Sequence, residues 1–79
     1  MSTPASAHAA IAAELASRIE ADLDHGGGTM PPADGLAWRG YLAAMLEWDL
    51  IRVADYDALR ARLPPVADDP AIAILCGRL

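Results

Sequence analysis

Proline and glycine placement cuts this chain into short pieces. Glycines run from Gly26 to Gly28, prolines pair at 31–32 and 64–65, and Pro70 stands alone. Inside a helix, proline removes a hydrogen bond and crowds the carbonyl four residues back, at a cost of about 3 kcal/mol or more. Glycine is the usual left-handed stop of a helix. No regular element can run through these points. Each piece must therefore bury its apolar side against the others.

The first piece reads as a helix over about 4–24. Thr3 is suited to the N-cap and Pro4 to the first helical position, with Ser6 an alternative cap. Alanine, Glu, Leu and Arg dominate, all good helix formers. Ile11, Leu15, Ile19 and Leu23 recur every four residues and share one stripe. Glu14–Arg18 and Arg18–Asp22 are spaced as ion pairs on the outer side. His25 and then Gly26 end this helix. A Gly/Pro loop over 25–34 follows, with Asp34 placed to cap the next helix.

That second helix is expected over about 35–48. Trp38, Tyr41, Leu42, Met45, Leu46 and Trp48 fill an arc too broad for one neighbour, while Arg39 and Glu47 face away. Continuing the helix would put Asp49 on the apolar face. The helix should stop near Trp48, with Asp49 in a left-handed turn, which Asp tolerates better than most residues. A third helix, about 53–63, starts from a cap at Arg52, with Ile51 stapled onto Tyr56. Pro64 ends it. Asp69–Pro70 then opens a short helix over about 70–76, for which a strand through the run "AIAIL" is the rival reading. The expected fold is all-α, a small three-helix bundle with a short C-terminal fourth helix, forming one domain over 1–79.

The stretch "YLAAMLEWDLIRVADYDALRARL" resembles the helical hairpins of SHOCT-type modules. The shared features are an apolar helix, a Leu-Ile pair after a tight turn, and an acidic-aromatic helix start. Here Asp49 stands for the usual glycine and Arg52 for a capping hydroxyl. The resemblance implies a helical hairpin.

The segment "DLDHGGGTMPPADG" is the one stretch with the look of a chemical loop. Read as a calcium loop from Asp22, it has Asp24 in place but Gly26 at the fifth position. Ala33 falls where a bidentate Glu is needed. A phosphate loop needs lysine, and the chain has none. The segment is better read as a connector, and Asp22, Asp24 and His25 as a solvated helix end. His8 falls in the apolar stripe, where it serves structure more readily than catalysis. Cys76, the single cysteine, can form neither an internal disulfide nor a zinc cage. No nucleophile has a base and an orienting acid in view. A non-enzyme without metal or cofactor is expected.

The six basic residues are all arginine, and with eleven acids they leave a net charge of −5. That usage, with its many alanines, is typical of a GC-rich bacterial genome. Nucleic-acid affinity rests on neutralised phosphates, so the acidic balance disfavours it. No apolar run reaches the ~20 residues that span a bilayer, and no charged leader opens the chain, so a cytoplasmic location is expected. The reading that follows is a small accessory, regulatory or adaptor protein acting through protein–protein contact, self-associating as a homodimer. Trp38, Tyr41, Met45, Trp48, Ile72, Ile74 and Leu75 are its expected contact residues. The alternative is a DNA-binding or DNA-mimicking regulator using the hairpin 36–63, although Asp55 and Asp57 stand where a reading helix would meet phosphates.

Overall fold

The computed structural model describes residues 4–65 and Ile74. Among these the chain is all-helical, with α1 at Ala5–His25, α2 at Pro32–Glu47 and α3 at Val53–Arg60. Apart from Ile74, the expected helix over 70–76, with Ile72, Leu75 and Cys76, lies outside the described residues. No helix among those described is long and apolar enough to cross a membrane.

Helix α1 starts one residue later than expected. Pro4 is the cap residue, in extended conformation and without a side-chain cap. Its end differs more. Gly26 has a negative φ of −93°, and the left-handed residue is Gly27, at φ 72°. The Gly28 N–H bonds the Leu23 carbonyl at 2.7 Å and the Gly27 N–H bonds that of Asp24 at 3.2 Å. This is the six-to-one and five-to-two pattern that closes a helix on a left-handed residue. Gly26 is needed for another reason: a Cβ there would lie 2.0 Å from the Thr29 carbonyl oxygen. The connector then sends Met30 into the core, 5% exposed.

Helix α2 begins at Pro32, three residues before the expected start. Pro31 is its cap and Asp34 lies in its first turn. Proline at the first helical position loses nothing, because that N–H has no partner inside a helix. The other end follows the expectation. The helix stops at Glu47 with Trp48 as its cap residue, and Asp49 is left-handed at φ 59°. The Leu50 N–H reaches the Met45 carbonyl at 2.8 Å and the Asp49 N–H reaches that of Leu46 at 3.1 Å. The same closing motif is thus made once with glycine and once with aspartate.

The turn delivers Ile51 to the core, 1% exposed, where it joins Tyr56 in one buried cluster. Arg52 caps α3, and the Asp55 carboxylate accepts its N–H at 3.2 Å. Arginine carries only donors, so it supplies no reciprocal acceptor of its own. Helix α3 is shorter than the expected 53–63. Leu63 bonds back to the Arg60 carbonyl at 3.1 Å, a tighter three-residue turn. Proline disfavours helical geometry in the residue before it, which accounts for the tightening ahead of Pro64.

The core holds Leu15, Ile19, Met30, Leu42, Ala43, Ile51, Tyr56, Leu59 and Leu63, with Ile11 and Leu23 packed at its edge. The α1 stripe is therefore the buried one. The phase of α2 differs from the expected arc. Its buried residues are Gly35, Arg39, Leu42 and Ala43. Arg39, expected to face away, is 7% exposed and donates from Nη2 to the Pro64 carbonyl at 2.8 Å. Gly35, one turn earlier, lies against the Pro64 ring. The segment after α3 folds back over this face of α2 and rotates the aromatic side outward.

The layout has an unusual consequence. Helix α3 packs on both α1 and α2, yet no Cα of α1 comes within 8 Å of one in α2. The body is flattened, 39 × 29 × 15 Å.

Two stability predictions follow from this packing. The Tyr56 hydroxyl is buried without a hydrogen bond among the described residues, while Arg60 lies 5.2 Å over the ring. Tyr56→Phe keeps the ring and removes an unsatisfied polar group, so thermal unfolding should show stability unchanged or raised by up to about 1 kcal/mol; a loss above that would reveal a bond to the hydroxyl. Asp49→Gly should stay within about 0.5 kcal/mol of wild type, whereas Asp49→Val should lose about 1–2 kcal/mol. Both variants lack the carboxylate, so equal losses would rule out backbone conformation as the cause.

Candidate functional site

The seven expected contact residues divide in the structure. Trp38 and Met45 are half-buried and pack against the core cluster. Tyr41 is 45% exposed, Trp48 76% and Ile74 58%. Ile72 and Leu75 lie outside the described residues.

Trp38, Tyr41 and Met45 are brought together. They form one wall of an open groove between α1 and α2. Trp38 and Tyr41 meet edge to face, with ring centroids 5.7 Å apart and planes at 81°. Such a pair holds both rings in a defined orientation. Trp38 is further anchored across the groove, where its Nε1 donates to Asp22 Oδ2 at 2.7 Å. That bond spans the gap that the two backbones leave.

The wider part of the groove holds about 550 Å³, between Arg18, Ala21 and Asp22 of α1 and Asp34, Ala37, Trp38 and Tyr41 of α2. A smaller part, about 300 Å³, lies between Ala10, Ile11, Glu14 and Leu15 on one side and Tyr41 and Met45 on the other. Arg18 and Tyr41 border both parts, so the two lie next to each other along the same pair of helices. The α1 wall sets Ala10 and Ala21 beside the apolar Ile11 and Leu15 and the charged Glu14, Arg18 and Asp22. The α2 wall is aromatic. Trp48 lies at the end of α2 and does not line this groove.

One acid of the glycine-rich segment, Asp22, has structural work. Asp22 accepts the Trp38 indole, and of the two pairs expected for Arg18 the one with Glu14 is made. Arg18 bonds Glu14 through Nε at 3.0 Å. Among the described residues no group of three or more His, Cys, Asp or Glu side chains is placed to hold a metal ion.

His8 is 6% exposed and belongs to a different place. Its Nε2 lies 3.0 Å from the Asp49 carbonyl oxygen and 3.4 Å from Asp49 Oδ1. Its Nδ1 faces Arg52 Nε at 3.4 Å. Arginine only donates, so Nδ1 accepts and Nε2 carries the proton given to Asp49. The imidazole latches the start of α1 onto the α2–α3 turn. Helix periodicity placed His8 in the apolar stripe, but its partners, 41 and 44 residues away, carried no local signal.

No family model matches the chain, and no curated protein or solved structure is significantly similar to it.

His8→Ala removes the latch and leaves the Asp49 carbonyl without its donor. We expect a loss of roughly 1–3 kcal/mol in denaturant unfolding, with His8→Gln recovering part of it through its amide donor. A silent His8→Ala variant would show that the latch contributes nothing to stability.

Proposed function

We propose that this is a small non-enzymatic helical protein that acts through protein–protein contact, as an accessory, regulatory or adaptor factor, and that it self-associates as a homodimer. The observation that carries the reading is the exposure of Trp48, at 76%, with Tyr41 and Ile74 also open. Tryptophan and tyrosine are the residues most enriched among those that dominate binding energy at interfaces. Support also comes from what the buried polar groups do. His8 and Arg39 are both turned to backbone carbonyls of neighbouring segments. Such groups hold a fold together and do not converge on a substrate.

A DNA-reading role for the α2–α3 hairpin is the weaker alternative. Asp55 and Asp57 sit at the start of α3, and Asp55 is engaged in its cap. Negative charge at that end opposes phosphate contact.

Sedimentation velocity across a concentration series tests the proposal. The expected result is a reversible dimer whose dissociation constant rises at least tenfold in Trp48→Ala, the scale of loss seen at interface hot spots. A compact monomer at high micromolar concentration would overturn the dimer.

A further inference from the structure

We propose that the groove between α1 and α2 receives a basic amphipathic helix from a different protein. The inference deepens the protein-contact reading and rests on it. The shape of the groove selects a helix. Its walls are two helices running in opposite directions, flanked at one end by Ala10 and Met45 and at the other by Asp22 and Asp34. Neither wall offers a free strand edge, so an extended peptide would find no backbone partners there. A helix satisfies its own backbone and needs only an apolar stripe. The span from Ala10 to Asp22 is about 18 Å of helix axis, room for some three turns.

Charge selects the partner. Among the described residues, the carboxylates bordering the groove are Glu14, Asp22 and Asp34, against the single cation Arg18. Glu14 and Asp22 are eight residues apart on α1, about 12 Å along its axis. A helix laid beside α1 meets both when it carries two basic residues seven or eight positions apart, flanking the apolar stripe. Arg18 lies midway and is already paired with Glu14. It repels a third cation, so the partner's central turn must be apolar or acidic. Trp38 occupies Oδ2 of Asp22, which leaves Oδ1 able to accept.

A second copy does not fit this description. Each copy carries a net charge of −5. Among the described residues the only arginines so spaced are Arg52 and Arg60. Arg52 bonds His8 and Arg60 covers the Tyr56 ring, on a helix that is already the centre of the fold.

The test uses two synthetic helical peptides with the same leucine and alanine stripe. One carries two arginines seven positions apart, and the other carries glutamates at those positions. Binding is read from Trp38 emission in full-length Trp48→Phe protein and from titration calorimetry. The arginine peptide should bind at least about tenfold more tightly at low salt, and the difference should shrink as salt screens the charges. Glu14→Gln combined with Asp34→Asn, two exposed and isosteric changes that leave Asp22 in place, should reduce the preference at least about threefold. Equal affinity for both peptides, binding of neither, or a preference undiminished by the double substitution would each overturn the proposal. So would a homodimer lost in Tyr41→Ala but kept in Trp48→Ala, which would put a second copy in the groove. A protein that dimerises through Trp48 and ignores both peptides keeps the contact reading and loses only this inference. One that stays monomeric and ignores both loses the two together.

Discussion

The reversal at Asp49 is the constraint on which the remaining structure depends. A left-handed residue there turns the chain sharply enough to bury Ile51 immediately after α2 ends. Burying Ile51 fixes the direction in which Arg52 starts α3. His8 then ties the same turn to the first helix, so one short segment is held by groups from all three helices. An L-residue in this conformation is disfavoured. It persists because the closing hydrogen bonds, the buried isoleucine and the histidine all require it.

The position of α3 follows from that turn, and the groove follows from α3. Eight residues suffice to contact both longer helices. They also keep α1 and α2 apart, since the short helix acts as a spacer along one side only. On the other side the gap is bridged by the Trp38 indole reaching Asp22. Arg62 reinforces α3 against α1 through Glu20 at 2.6 Å, an exposed pair that contributes at most about 1 kcal/mol. Burial of Ile19, Leu42 and Ile51, the most enclosed large side chains, supplies much more, at about 1.5–3 kcal/mol each.

Local chemistry was legible in the sequence, and tertiary chemistry was not. The four-residue stripe of α1, the stop before Asp49 and the burial of Ile51 just ahead of α3 depend on neighbours within one or two turns. Each could be read from spacing alone. Asp34 has the chemistry of a cap, yet α2 starts two residues before it, because a proline one residue after another proline fits the first helical position at no cost. The phase of α2 departs from its apolar arc for a different reason. An arginine scores as solvated until a specific carbonyl accepts it, and the Pro64 carbonyl lies 25 residues away. Met30 was hidden in the same manner inside a connector that composition marks as exposed. For the site, the aromatic residues were found but their division was not. Nothing in the pattern separates Trp38, held against Asp22, from Trp48, left in solvent.

The glycine-rich segment shows why composition alone misleads about chemistry. Its histidine, acids and glycines have the ingredients of a binding loop, yet each glycine-specific demand is met by the backbone itself. Gly27 supplies the left-handed angle that ends α1, and Gly26 makes room for the Thr29 carbonyl. A cradle for an anion needs its N–H groups to converge on open space. Here the N–H groups of Gly26, Gly27 and Gly28 all turn back to carbonyls of the last turn of α1. What the segment offers to a partner is therefore indirect. By ending α1 cleanly and lodging Met30 in the core, it sets where α2 begins. That places Asp34 opposite Asp22 at one mouth of the groove, and the negative charge there is the feature a partner would meet first.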